Sequence, residues 1–425
     1  MIRFLVARVR GCGFLLAFTV ALPLAASAEP ATLRETLLYA REHAPHFAIR
    51  AAERDRVRAD ARVRGFWLPE PPEVAGEWTE RDAPDGSHAE ERMLEASMAL
   101  DPFGLVFRSR SAGAGRNLGL REVDTEARAW AAGVAWLYHE RLRRHWMHDR
   151  RLQQAEVTQR LLDVVRQRVD AGDASGLELD LARVEASEGK RRVFESEGAK
   201  HRASELLAAA IGWPAGMELP APGSLELVPS FPDTANLFVR TLEQRPQLLA
   251  AEAALSRGKA EAQLARARLL PEAEFGVFDG EDDGDEVRGL RLALSVPFLG
   301  PPLVETGAHS AEKRRLEAEM RAATRDAFVE VAVAQAATAV ASQQVALYVQ
   351  EILPGIQGAR QRYQEAYSVG QVDLATILVS EQRYRDAEHS FAEVLGTYID
   401  ALRELELATG LPLFSGYSLE DESNR

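Results

Sequence analysis

Three glycine and proline positions recur at a fixed distance along this 425-residue chain: Gly172, Gly212 and Pro214 return as Gly370, Gly410 and Pro412, each 198 residues on. Ala-Ile-Gly-Trp-Pro and Ala-Thr-Gly-Leu-Pro align around them without a gap, and upstream Ala44-Pro45 and Trp67-Leu68-Pro69 resemble Arg245-Pro246 and Leu269-Leu270-Pro271. Self-similarity at a fixed spacing marks a duplicated structural unit. Whatever this chain folds into must be buildable twice.

Proline placement says what that unit contains. Proline removes a helical donor and clashes with the preceding turn, yet none lies between Pro102 and Pro214, and only Pro354 lies between Pro302 and Pro412. Long helices are implied. Residues 117–171 are expected to run as one helix of about 80 Å at ~1.5 Å per residue, which needs a partner along its length. Beyond Gly370, the residues Ile377, Tyr384, Phe391, Tyr398 and Leu405 recur every seven positions, with Leu374, Leu395 and Leu402 beside them. This is a heptad seam, which implies left-handed supercoiling. The aligned positions Leu179, Ala186, Val193, Lys200 and Leu207 form a weaker seam. Gly172 and Gly370 stand where the helices turn back, since glycine tolerates the left-handed conformation that ends a helix.

Between the helices the apolar period changes from that of a helix to that of a strand. Leu290, Leu292, Leu294 and Val296 alternate with Arg291, Ala293 and Ser295, while Leu94, Ala96, Met98 and Leu100 alternate with Glu95, Ser97 and Ala99. Val74, Gly76 and Trp78, and Ala273, Phe275 and Val277, supply their hairpin partners. Strands are expected over 73–80, 92–101, 272–279 and 287–297, with polar tips at 81–88 and 279–286. Apolar-out, polar-in strands of this length fit an outer-membrane barrel, and Leu290, Leu292, Leu294 and Val296 would face lipid. Four strands cannot close a barrel, so this reading requires several copies. The alternative is a pair of soluble hairpins capping a helical scaffold or adaptor.

The resulting division is a leader at 1–28, a first repeat at 29–213, a proline-rich connector at 214–232, a second repeat at 233–412 and a tail at 413–425. Arg3, Arg8 and Arg10, an apolar run over 14–25 and Ala26-Ser27-Ala28 read as a cleavable secretory signal. The only cysteine, Cys12, precedes the apolar run, so no lipid anchor is expected. The formal charge of −14 becomes about −17 without the leader, which argues against phosphate-held nucleic acid.

Catalytic chemistry finds little support. The sequence has no phosphate-binding glycine loop, no nucleophile elbow and no cysteine pair. His145 and His148 have helical metal-ligand spacing, but Arg141, Arg143 and Arg144 flank them, and a solvated helix face is expected instead. The acidic run from 279 to 286 has a calcium-loop glycine at Gly284, but Leu290 stands where a bidentate glutamate is needed. No catalytic residue, metal site or cofactor is assigned.

The duplicated order of helix, hairpin and helix pair, with Asp-Ala-Gly-Asp at 170–173 and Tyr-Ser-Val-Gly-Gln at 367–371, resembles the TolC-like outer-membrane efflux channels over nearly the whole chain. The resemblance implies a mainly α fold with a small β-barrel part. A homotrimer would form a twelve-stranded barrel in outer-membrane lipid and a long coiled-coil α-barrel tunnel below it. It also implies a periplasmic adaptor (membrane fusion protein) and an inner-membrane efflux pump, with docking at the helical tips around Gly172, Asp173, Val369 and Gly370. By position, Tyr367 matches a gating tyrosine and Glu178 its acidic partner, with Asp373 as a further acidic residue nearby. Val372, Thr376 and Val379 stand where some members carry a basic gate residue and an acidic ring. The layout leans toward the heavy-metal branch, while drugs, metal cations and secreted proteins all stay open as cargo.

Overall fold

The computed structural model describes residues 32–68, 70–82, 88–101, 104–222, 236–282, 285–295 and 301–416. The leader, Val296, residues 223–232 of the connector and the tail beyond 416 lie outside them. The chain order is α1 (Leu33–His43), α2 (Pro45–Arg64), β1 (Glu73–Asp82), β2 (His88–Leu100), α3 (Gly104–Asp170) and α4 (Gly176–Ile211). It continues with α5 (Leu237–Gln244), α6 (Pro246–Ala267), β3 (Glu272–Asp282), β4 (Asp285–Ser295), α7 (Pro301–Leu347), α8 (Leu353–Ser368) and α9 (Leu374–Thr409).

The long helix of the first half begins 13 residues earlier than its expected start at 117, and α3 spans about 100 Å. Asp101 sets the start: its Oδ1 accepts from the Gly104 N–H at 2.5 Å and its carboxylate pairs with Arg108 at 2.8 Å. Gly113 and Gly115 do not break the helix, because α2 and α6 pack along it. In the second half Pro354 does not end the helix. A π-helical turn over Tyr348–Ile352 joins α7 to α8 and absorbs the missing donor.

The reversals at the two tips share one design. Gly172 and Gly370 adopt φ of +81° and +73°. Asp173 N–H donates to Arg168 O at 2.7 Å and Gln371 N–H to Ala366 O at 2.9 Å, the six-to-one bond of a Schellman cap. The next helices start at Ser175, whose Oγ accepts from Glu178 N–H, and at Asp373, which accepts from Thr376 N–H.

The far ends are also matched. Gly212 and Gly410 close α4 and α9 at φ of +74° and +70°. A Cβ on Gly212 would meet His43 O at 2.5 Å, and one on Gly410 would meet Pro246 Cδ at 2.6 Å. Each repeat thus seats its last glycine on its own X-Pro junction, which explains why glycine and proline carried the duplication in the sequence. Beyond each glycine a charged side chain pins the departing chain. Arg141, buried, donates through Nη2 to Pro220 O at 2.5 Å and through Nε to Ser204 Oγ at 3.1 Å. Glu406 accepts from Phe414 N–H at 2.6 Å, Ser415 N–H at 2.7 Å and Ser415 Oγ at 2.6 Å.

The four strands make one antiparallel sheet in the order β1-β2-β3-β4, so the two hairpins join through β2 and β3. Pairing runs beyond the expected strand ends, to Asp82↔His88 and Asp282↔Asp285. The tips expected at 81–88 and 279–286 are therefore shorter than their polarity suggested: past the apolar face a ladder needs no alternation, only backbone partners.

Candidate functional site

Two regions carry the features that bear on function, the sheet and the helical tips. The register across the sheet sorts its side chains by face. Val74, Ala96, Val277 and Leu290 share one row. Met98, Phe275 and Leu292 make the next, and Leu100, Ala273 and Leu294 the one after. Toward the hairpin tips the same face turns mixed, with Gly76, Leu94 and the Asp279–Arg288 pair in one row and Trp78, Arg92, Glu281 and Glu286 in the next. The face is solvent-exposed in a single chain, with Leu290 at 72%, Leu292 at 76%, Leu294 at 65% and Trp78 at 73%.

A face of this size belongs against an apolar partner. From Leu100 to Arg92, β2 rises about 27 Å, or about 20 Å along the normal at a tilt of ~40°. Trp78, under the Arg92 guanidinium at 5.2 Å, marks the outer border, and exposed Phe66 and Trp67 lie at the opposite end. Aromatic residues bordering an apolar band are what a bilayer interface selects.

The other face is polar and acidic. Glu73, Glu77, Glu91, Glu95 and Glu274 occupy it, with Arg291 pairing to Glu95 at 2.5 Å. Phe278 sits here too, its ring folded over Gly289 so that it fills the place of a missing side chain. The strands β1 and β4 each have one unpaired edge.

At the tips, Tyr367 is buried at 4% exposure among Leu161, Leu162, Val165, Ala182, Ala186, Leu374 and Ile377. The Arg168 guanidinium lies over its ring at 5.2 Å, and its hydroxyl has no hydrogen-bond partner among the described residues. Glu178, expected beside it, is instead the third residue of α4, with Oε1 3.5 Å from Ser175 Oγ. Asp373 is the N-cap of α9, and its carboxyl is held below the usual range by bonding to Thr376. Leu177 and Val369 stand exposed beside the turns at 71% and 67%. The tyrosine thus couples the second hairpin to the first, through Arg168, a residue that no spacing argument had singled out.

The histidines do not form the solvated face expected of them. His148 is buried, with Nδ1 3.1 Å from Ser196 Oγ, and His145 Nε2 lies 3.4 Å from Ser204 Oγ. Both sit in the seam between α3 and α4, and burial pushes His145 down to about 4. His139 packs on the Phe414 ring at 4.8 Å and is likewise pushed down by burial to about 4. Nor do the acidic residues of the second hairpin make a loop. Asp279 and Glu281 lie in β3 and Asp285 and Glu286 in β4, paired across the ladder, and Asp279 is taken up by Arg288 at 2.6 Å. Among the described residues no cluster of metal-ligating side chains occurs, and no helix is long and apolar enough to cross a membrane.

Comparison with known proteins agrees with this geometry. Residues 237–411 match the family model described as outer membrane efflux protein. No curated protein matches the chain. Among solved structures, the Neisseria gonorrhoeae MtrE outer membrane channel in its open state is similar at 18% identity, covering 91% of this chain and 90% of its own, with a TM-score of 0.75. The outer membrane protein VceC of Vibrio cholerae is similar at 15% identity over 89% and 96%, and CusC at 18% over 89% and 91%, both with a TM-score of 0.73. The fold is that of these outer-membrane channels across both halves, although the family model covers only the second.

Proposed function

We infer, from a second half that falls in the outer membrane efflux protein family and a whole chain that has its fold, that this protein is the outer-membrane channel of a tripartite efflux system. The observation that carries the reading is the sheet. One exposed apolar face, bordered by Trp78 at one end and by Phe66 and Trp67 at the other, stands on helices of about 100 Å, and two open edges wait for further strands. Three copies would supply twelve strands, enough to close a barrel. A soluble scaffold would leave that face uncovered.

Within this reading the trimer is a passive conduit, moved by an energised inner-membrane pump through a periplasmic adaptor that docks around Leu177, Asp173 and Val369. The repeats are 29–213 and 233–412, and the leader directs export without lipidation. Tyr367, Glu178 and Asp373 mark the level at which the tunnel closes, with Tyr367 acting between the two hairpins. Its orphaned hydroxyl and its contact with Arg168 support that placement.

Planar-bilayer recordings and cross-linking of the purified protein test this. Discrete conductance from a trimer is expected, and a monomer that stays in the soluble periplasmic fraction would overturn the reading. Leu292→Arg, on the lipid-facing row, should weaken barrel assembly by about 2–4 kcal/mol near the midplane. A soluble hairpin would tolerate the change.

A further inference from the structure

The seam of α9 contains a second stripe at seven-residue spacing: Leu374, Glu381, Glu388, Leu395 and Leu402. All five are buried, at 3%, 2%, 4%, 2% and 0% exposure. Two consecutive layers of a coiled-coil core thus hold carboxylates where the pattern calls for leucine. They also fall where the apolar core is interrupted. Below them lies the tip cluster of Tyr367, Leu374 and Ile377 against α3 and α4. Above them a separate cluster joins Phe391, Leu395, Tyr398 and Leu402 to α3 and α7.

Charged and hydrogen-bonding groups from four helices fill the gap. From α8, Arg360 Nε donates to both Glu381 oxygens at 2.9–3.0 Å and its guanidinium covers the Tyr384 ring at 4.1 Å, and Gln364 Nε2 donates to Glu381 at 2.7 Å. From α3, Gln154 donates to Glu388 and is itself held by Arg151 at 3.0 Å, while Arg150 reaches Glu388 at 3.9 Å. From α4, Glu185 pairs with Arg385 of α9 at 2.7 Å and with Arg192 at 3.4 Å. Glu188 pairs with Arg192 at the rim, at 3.8 Å. Beside the layer, α3 and α4 approach so closely that a Cβ on Gly189 would meet Thr158 Oγ1 at 2.8 Å.

Such a layer does not exist for stability. Buried ion pairs are commonly matched or exceeded by leucine-sized apolar packing, and polar seam positions cost stability while fixing register. Burial raises the Glu388 carboxyl above its usual range, more than Tyr384, Arg150, Arg360 and Gln154 lower it. A carboxyl raised on folding stabilises where it is protonated, and that contribution is lost as pH rises through its folded value. What the layer does provide is a break in an otherwise continuous apolar clamp, bridged by contacts that can exchange partners.

We propose that the Glu381–Glu388 layer is a hinge, about which the tip-bearing ends of α8 and α9 swing against α3 and α4 while the apolar seam above it stays fixed. The hinge rests on the channel reading, because its purpose is to let the tips part without unzipping the tunnel. Ion pairs between Arg385 and Glu185 and around Glu388 hold one position. Arg150, Arg151 and Arg192 offer the carboxylates alternative partners in another.

The test fuses the two apolar clusters. In the full-length trimer, Glu388→Leu is combined with the double change Arg360→Met and Glu381→Leu, the latter made together so that no buried guanidinium is left unpaired. Hydrogen exchange of residues 361–380 should slow by about tenfold as local opening is suppressed, with thermal stability equal or higher and bilayer open probability lower. Glu388→Gln, which keeps the polar layer, should leave exchange at the wild-type rate. Unchanged tip exchange in the leucine variant, or a lower melting temperature, would overturn the hinge and make the layer an ordinary part of the core. Wild-type protein that never conducts would count against the channel itself, and the exchange rates would still decide the hinge.

Discussion

The helices α4 and α9 are the same element used twice, and they end up in different surroundings. Each has 36 residues, starts at a polar N-cap just past a left-handed tip glycine, and ends at a left-handed glycine seated on an X-Pro junction. Yet α9 packs along α3, α5, α7 and α8, whereas α4 packs mainly along α3, with smaller contacts to α1 and, near the tip, to α9 through Glu185 and Arg385. Phe391, Tyr398, Leu402 and Leu405 are buried at 0–1% exposure, while on α4 the apolar Leu177, Val184, Phe194 and Leu206 are exposed at 53–71%. Local sequence set the length and ends of both. Position in the subunit decided which one is covered, and the uncovered one faces outward, where a neighbouring copy would lie.

The largest effect that could break this contrast is at the aromatic positions. Phe391→Ala should cost about 3–5 kcal/mol of protomer stability, while Phe194→Ala should leave protomer unfolding unchanged and loosen the trimer, read by dissociation on dilution in detergent. Equal losses of protomer stability in both variants would mean that α4 is covered within its own subunit. The helix ends should behave alike in the two halves. Gly212→Val and Gly410→Val each force a β-branched residue into the left-handed region against backbone or proline atoms, and each should lose about 3 kcal/mol or more in thermal unfolding.

A smaller effect sharpens the comparison at the tips. Ser175→Ala should weaken the start of α4 by about 1 kcal/mol, and Asp373→Ala should act in the same direction on α9. Their pH dependence should differ. Bonding to Thr376 holds the Asp373 carboxyl below its usual range, so its cap is intact at neutral pH and is lost as pH falls through the folded value. The Ser175 hydroxyl does not titrate there. Amide exchange at Ile377 should therefore speed up on acidification, relative to the intrinsic rate, while that at Leu179 should not. Equal acceleration at both would show that the two caps share a titrating group elsewhere.

Much of this architecture was legible in the sequence because it rests on residues with narrow conformational roles. Gly172, Gly212, Gly370 and Gly410 occupy a backbone region that side-chain-bearing residues rarely adopt, and the alternation around Leu292 reports a sheet with two unlike faces. The start of α3 was not legible, since Gly113 and Gly115 lower helix propensity and only packing by α2 and α6 overrides them. The strand ends were missed because pairing outlasted alternation. At the tips, Tyr367 was found by its distance from Gly370, but its partner Arg168 lies on another hairpin and no local spacing points to it. Glu381 and Glu388 were passed over because a seam is searched for by its apolar members, and charged residues at those positions read as solvent-facing until the neighbouring helices are in place.

The two unpaired edges of the sheet have a consequence in time as well as in space. Until other copies arrive, each subunit carries a row of unused backbone donors and acceptors along β1 and along β4, next to bare leucines and valines, which is the combination that recruits the wrong strand. Charged side chains on the two edges, Glu73 and Glu77 of β1 and Arg288 and Arg291 of β4, discourage premature pairing. Completion needs encounters between copies, so its rate depends on how many are present at once, whereas the exposed surface is there from the moment one copy folds. On the channel reading, supply must therefore be matched to assembly: too few subunits would delay closure, and too many would outrun insertion and precipitate.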